Sequence, residues 1–177
     1  FTDFKGFTSV AAHMDPDQLM EELNDCFSAF DEIIARHNLY KIKTIGDAYM
    51  CAGGIPESNE TNPQDTVKAA LEMQEFMQRR RKEKLLEGKD YWQCRLGINT
   101  GPVRAGVIGR TRFAYDIWGN PVNIASRMES GGEPNKVNIS EDTYELVKDQ
   151  FDCEFRGQIE VKNGLKLKMY FVNGVKP

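Results

Sequence analysis

Two aspartates have the types and placement to do chemistry together. Asp3 follows Phe1-Thr2 and precedes Gly6-Phe7-Thr8, and Asp47 stands 44 residues later beside Gly46. A hairpin strand paired with the opening strand brings the two carboxylates together. Carboxylates that meet at a strand end and a turn must share a proton or hold a cation. Taken alone, Asp47 in a Gly-Asp pair is ordinary turn chemistry. The stretch RTRFAYDIWGNPVNIASR, Arg110 to Arg127, is the other informative region. Its Asn123 and Arg127 are four apart and share one helix face; periodicity alone makes them a helix cap and a solvated charge.

Spacing excludes several other chemistries. GPVRAG, Gly101 to Gly106, has the glycine spacing of a phosphate loop, but Val107 and Ile108 stand where Lys and Ser or Thr are required. No GxGxxG follows a strand, and neither His13 nor His37 lies in a nucleophile context. Cys26, Cys51, Cys94 and Cys153 are scattered without a C-x-x-C pair, which disfavours structural zinc and points to a reducing compartment. Asn59-Glu60-Thr61 and Asn138-Ile139-Ser140 match the glycosylation pattern, a chance match in a cytosolic domain.

The elements that must position these residues are legible. Asp15-Pro16 is an N-cap and first helical position, Gln18 can close a capping box, and Leu19, Leu23, Phe27, Phe30 and Ile34 line one face of a helix reaching His37. Asn62-Pro63 starts a second helix through Val67, Ala70, Leu71 and Met77 toward a break at Gly88, its closing turns a solvated basic run, Arg79 to Lys82. Between them, Tyr40 to Ile45 and Tyr49 to Cys51 form a hairpin about Gly46-Asp47. Cys94 to Ile98 and Val103 to Ile108 are expected to pair about Asn99-Thr100-Gly101-Pro102. A helix from Asn120 to Met128 and a strand pair about Asn163-Gly164 follow. The order predicts an α+β fold, a ferredoxin-like (split βαβ) antiparallel sheet with helices on one face.

With 177 residues, 40% hydrophobic and 28% charged, the chain predicts a single domain, residues 1–177, with a full core. A net charge of -4 argues against a surface for long nucleic acid, and no run of 18 apolar residues exists. Phe1 to Phe4 begins like the end of a buried strand, as in a piece excised from a longer protein.

Four segments, Phe1 to Thr8 (FTDFKGFT), Lys41 to Met50 (KIKTIGDAYM), Leu96 to Gly109 and Tyr115 to Met128, resemble the signature blocks of the class III adenylyl and guanylyl cyclase catalytic domain. The resemblance continues through Val161-Lys162 and Tyr170-Phe171-Val172. It implies a lyase that turns ATP into cyclic AMP and pyrophosphate. It implies that Asp3 and Asp47 hold two Mg²⁺ or Mn²⁺ ions, and that backbone groups of Phe4, Gly6, Phe7 and Thr8 surround the phosphates. Asn123 matches the ribose-orienting Asn, Arg127 the Arg that stabilises charge on the α-phosphate, and Lys162 the Lys on the β- and γ-phosphates. Arg110 and Arg112 flank another family phosphate ligand, where this chain has Thr111. Lys43 and Asp116 match the adenylyl pair, where guanylyl members carry Glu and Cys. Which side chain meets which purine atom is not fixed by chemistry alone, so the assignment to ATP rests on that match. Family sites form between two catalytic domains, and this chain holds both residue sets, which implies a homodimer. The alternatives are a guanylyl cyclase and a silent nucleotide-sensing or dimerisation module. The resemblance also implies a cytoplasmic domain whose parent chain carries regulatory or membrane regions.

Overall fold

The computed structural model describes residues 1–111, 113–160, 164 and 166–177. Asp15 caps the helix α2 (Pro16–Arg36): its carboxylate accepts from the backbone N–H of Asp17 and Gln18. The bond that would complete a capping box from Gln18 is absent among the described residues. α2 buries Cys26, Phe30, Ile33 and Ile34, with Leu19, Leu23 and Phe27 packed at the margin. The helix α3 (Asn62–Leu86) starts one residue earlier than expected, with Thr61 at the N-cap, and buries Val67, Ala70, Met73 and Met77.

The basic run departs from expectation at Arg80 and Arg81. α3 ends at Leu86, just before the expected break at Gly88, but Arg80 is drawn inward, 2.6 Å from Glu22 of α2 and 2.9 Å from Asp25. Arg81 lies over the Tyr91 ring. Facing carboxylates on α2 take the charge of Arg80, while Arg79 and Lys82 are exposed, as expected of a solvated run.

Seven strands form the main sheet, in the order β2-β3-β1-β4-β7-β9-β8. They are β1 (Thr2–Lys5), β2 (Leu39–Ile45), β3 (Ala48–Gly53), β4 (Gln93–Ile98), β7 (Val137–Ser140), β8 (Phe151–Glu160) and β9 (Lys166–Val175). Only β4 and β7 run parallel among the described pairs. The mixed α+β class is the one expected from the sequence, but the β4–β7 pair is parallel and one helix, residues 120–130, lies on the sheet face opposite the long helices, so the helices are not confined to one face.

The pairing expected for Val103 to Ile108 does not form. β5 (Arg104–Ile108) pairs with β6 (Ala114–Trp118) in a separate two-stranded ribbon, while β4 pairs with β1 and β7. The connecting residues are tied elsewhere: Asn99 donates to the Pro121 carbonyl, and the Thr100 and Thr143 hydroxyls lie 3.0 Å apart. These bonds take the chain out of the sheet, so no tight turn can close after Ile98. The short helices α1 (Phe7–Ala11) and α5 (Glu141–Val147), and the strand β7, had no separate sequence signal strong enough to be placed.

Strand alternation assigns the two sheet faces. Thr2, Phe4, Cys94, Leu96 and Ile98 point into the core beneath α2 and α3, where Phe4, Phe30, Tyr49 and Trp92 cluster. Asp3, Arg95 and Gly97 point the other way. The helix α4 (Asn120–Ser130) lies on that second face, at Gly97: a Cβ added there would sit 1.9 Å from the Glu129 backbone nitrogen. Gly97→Ala therefore must push α4 off β4. We expect a loss at or above the upper end of the about 1–3 kcal/mol typical of overpacking. Urea unfolding checks this, and stability within about 0.5 kcal/mol of the parent would mean that α4 is seated loosely.

Among the described residues no helix is long and apolar enough to cross a membrane.

Candidate active site

The hairpin β2–β3 turns through two residues, Ile45 pairing with Ala48. Gly46 takes the first turn position at φ 60°, which a side chain would resist, and leaves Asp47 at the second. Thr2 of β1 pairs with Tyr49 of β3, so the turn ends beside Asp3. Burial, then the adjacent Asp3 carboxylate, pushes the Asp47 carboxyl above its ordinary value. The convergence expected of the two aspartates is present.

Asp3 also accepts from Arg95 Nη2 at 2.6 Å, across the β1–β4 pair in which the two residues are partners. The same nitrogen lies 3.0 Å from Glu129 Oε1 of α4. Burial pushes the Glu129 carboxyl up, offset by Arg95. Arg95 and Glu129 escaped the sequence reading. Strand alternation put Arg95 on the Asp3 face, but only the β1–β4 register makes them partners. No sequence signal brings Glu129, on a helix 34 residues further on, to the same point.

Gly6, at φ 73°, ends β1 and opens α1. Phe4 is buried in the aromatic core and Phe7 packs on Trp92 at 5.1 Å, which fixes the Phe4 to Thr8 backbone against the sheet end. The N–H groups of Phe7 and Thr8 precede the first bonds of α1, which Ser9 and Val10 donate to the Gly6 carbonyl.

Lys43 and Asp116 are also brought together. Lys43 Nζ donates to Asp116 Oδ2 at 2.5 Å, linking β2 to β6, and Tyr40 and Tyr115 pack edge to face beside them. Asp116 Oδ1 accepts from the Ile117 N–H. The Lys43 ammonium holds the Asp116 carboxyl below the usual carboxylate range.

Asn123 and Arg127 are exposed on the outer face of α4, opposite Met128 and Glu129, which face the sheet. They share a face as expected, and that face points away from the chain's own Asp3–Arg95–Glu129 cluster. Among the described residues no hydrogen bond or ion pair joins the Lys43–Asp116 pair to the aspartates. Lys162 and Arg112 lie outside the described residues.

The donor set at Asp3 and Asp47 is two carboxylates with no sulfur or imidazole, hard oxygens that repel each other when nothing stands between them. That is the chemistry of a site for hard divalent cations, so Mg²⁺ or Mn²⁺ fits the residues present.

Residues 1–174 match the family model described as the adenylate and guanylate cyclase catalytic domain. An adenylate cyclase of Mycobacterium tuberculosis is 38% identical over 99% of this chain, and 39% of that relative is covered. The receptor-type guanylate cyclase gcy-8 of Caenorhabditis elegans is also 38% identical over 99% of the chain, which spans 16% of it. The solved adenylyl cyclase CyaB from P. aeruginosa superposes with a TM-score of 0.92 at 30% identity, covering 99% of this chain and 92% of that one. Paired aspartates on a split βαβ sheet, matched across nearly the whole chain, place it in the class III adenylyl and guanylyl cyclase catalytic-domain family.

Proposed function

We propose that the chain is an adenylyl cyclase catalytic domain, converting ATP to 3′,5′-cyclic AMP and pyrophosphate at sites shared between two copies. The choice of base rests on Lys43 and Asp116, the residues that match the adenylyl pair, which the fold brings within 2.5 Å of each other. Adenine offers an acceptor at N1 and a donor at N6, which a Lys donor and an Asp acceptor can meet side by side. Guanine reverses both positions, so the pair selects adenine in the orientation that the family match implies.

Asp3 and Asp47 would hold two Mg²⁺ or Mn²⁺ ions, which when bound acidify the ribose 3′-hydroxyl and offset triphosphate charge. The backbone from Phe4 to Thr8, opened at Gly6, surrounds the phosphates. Asn123 orients the ribose so that its 3′-oxygen faces the α-phosphorus in line. Arg127 stabilises the charge that builds there as pyrophosphate leaves, and Lys162 holds the β- and γ-phosphates.

Two features support the shared site. Asn123 and Arg127 face away from their own aspartates, so a second copy is needed to complete the set. The β5–β6 ribbon also exposes Val107, Ile108, Phe113 and Trp118. A two-stranded ribbon is marginal alone, and this apolar surface is what a second copy would cover. The chain spans 39% and 16% of two of these relatives, one of them named a receptor-type cyclase, which supports a parent protein with regulatory or membrane regions; a cytoplasmic place for this domain is part of the same reading.

Incubation with ATP or GTP plus Mn²⁺, with the cyclic product identified by mass, tests the reading. Cyclic AMP supports it, cyclic GMP supports the guanylyl alternative that gcy-8 brings in, and no product supports a silent module. Lys43→Glu with Asp116→Cys should move the ATP-to-GTP preference toward GTP by one to two decades, at about 1–3 kcal/mol per misplaced polar contact. An unchanged ratio would put base recognition elsewhere.

A further inference from the structure

Arg95 Nη2 stands between two carboxylates and is aligned with only one. It donates to Asp3 Oδ2 at 2.6 Å, whereas Glu129 Oε1, 3.0 Å away, is buried without an aligned donor. Arg95 Nε is buried and unpartnered too, among the described residues. One guanidinium thus has a spare donor beside a carboxylate with a spare acceptor.

The frame that holds them is stiff. Arg95 is on β4 and Glu129 on α4, and the two elements touch backbone to backbone at Gly97. That contact fixes the two backbones relative to each other, so a change at Asp3 need move only side chains. An Asp3 carboxylate that binds a divalent cation gives up much of its attraction for the guanidinium, and both cations crowd the same oxygens. A guanidinium released with no second acceptor would be repelled toward solvent.

We propose that Glu129 is a positioning residue: it takes over Arg95 as a cation occupies Asp3, and so keeps the guanidinium seated beside the metal pair. This rests on the reading of Asp3 and Asp47 as cation ligands. In the cation-free protein Arg95 competes for Asp3, and Glu129 lowers the cost of its displacement.

The test is Mn²⁺ binding to the nucleotide-free protein, followed by electron paramagnetic resonance. Glu129→Gln keeps the shape of the side chain and removes its charge, and should weaken Mn²⁺ binding about ten- to a hundred-fold, the scale of a lost charge-assisted hydrogen bond. A nearby charge could weaken binding directly, so the same change is made in an Arg95→Met background. If Glu129 acts through Arg95, its effect vanishes there; an equal loss in both backgrounds overturns the proposal. No loss in the first background overturns it too. Should Arg95→Met fail to fold, the crystal structure of the Mn²⁺-loaded parent decides. Arg95 bonded to Glu129 and clear of Asp3 supports the exchange, and Arg95 still on Asp3 refutes it. Asp47→Ala is the control: if it binds Mn²⁺ as well as the parent, the cation reading itself fails and this inference with it.

Discussion

Asp47→Ala should lose at least about 10²- to 10³-fold in cyclisation rate, the scale on which removing one preorganised charge-stabilising group acts, while its fold is kept or strengthened. The sign follows from the raised Asp47 carboxyl, whose causes are burial and then Asp3. In the unfolded chain Asp47 ionises near its ordinary 3.8, and in the folded, cation-free protein only at higher pH. The folded state thus carries no penalty below that ordinary value. The penalty grows as pH rises through the raised one, and it persists at neutral pH. Removing the carboxylate removes the penalty. In EDTA at neutral pH, the melting temperature of Asp47→Ala should equal or exceed that of the parent. Added Mn²⁺ should raise the parent's melting temperature and leave the variant's unchanged, because only a folded site that binds the ion gains by mass action. A variant that cyclises at near the parent rate would end the assignment of Asp47 to the metal pair.

Asp3→Ala makes a less clean experiment. Two mutually repelling carboxylates suggest that either could be removed harmlessly, but Asp3 also neutralises Arg95, whose side chain is 26% exposed. Truncating it leaves a guanidinium with Glu129 as its one carboxylate neighbour among the described ion pairs. Its loss of activity would mix chemistry with a rearranged Arg95, and Asp47 is the better probe.

What the sequence disclosed follows the range of each signal. Caps and periodicity are local, and α2 begins at Pro16 as Asp15-Pro16 requires. The Gly46-Asp47 turn is local too, and placing it beside Asp3 needed only one correct strand pairing. Pairing beyond neighbouring segments was not legible. β5 alternates as well as β4 does, yet its partner is β6, because Asn99 and Thr100 bind α4 and α5 side chains and backbone that no local pattern reveals. The contact of Arg95 with Glu129 is of the same kind, since it depends on α4 lying against Gly97. Asn123 and Arg127 were found by spacing and resemblance, but their direction was not. The side of α4 they occupy is set by which of its residues, Met128 and Glu129, the sheet accepts.

That direction carries the second large effect. With Asp47 contributed by one copy and Arg127 by the other, Asp47→Ala alone and Arg127→Ala alone should each be nearly inactive, since either change damages both sites of a homodimer. When the two variants are mixed and exchange subunits, each mixed dimer has one site with both defects and one with neither. Random pairing makes half of the dimers mixed, each with one sound site of two, so activity should return to about a quarter of the parent's at equal total protein. Sites contained within one copy give no recovery at any ratio, because every site then keeps its own defect. Light scattering before and after mixing establishes that dimers form, and the rise of activity with time reports the exchange. A mixture that stays as inactive as its components, with dimers present and exchanging, would return Asn123 and Arg127 to the role of solvated helix residues. In that case the outward face of α4 would need another explanation.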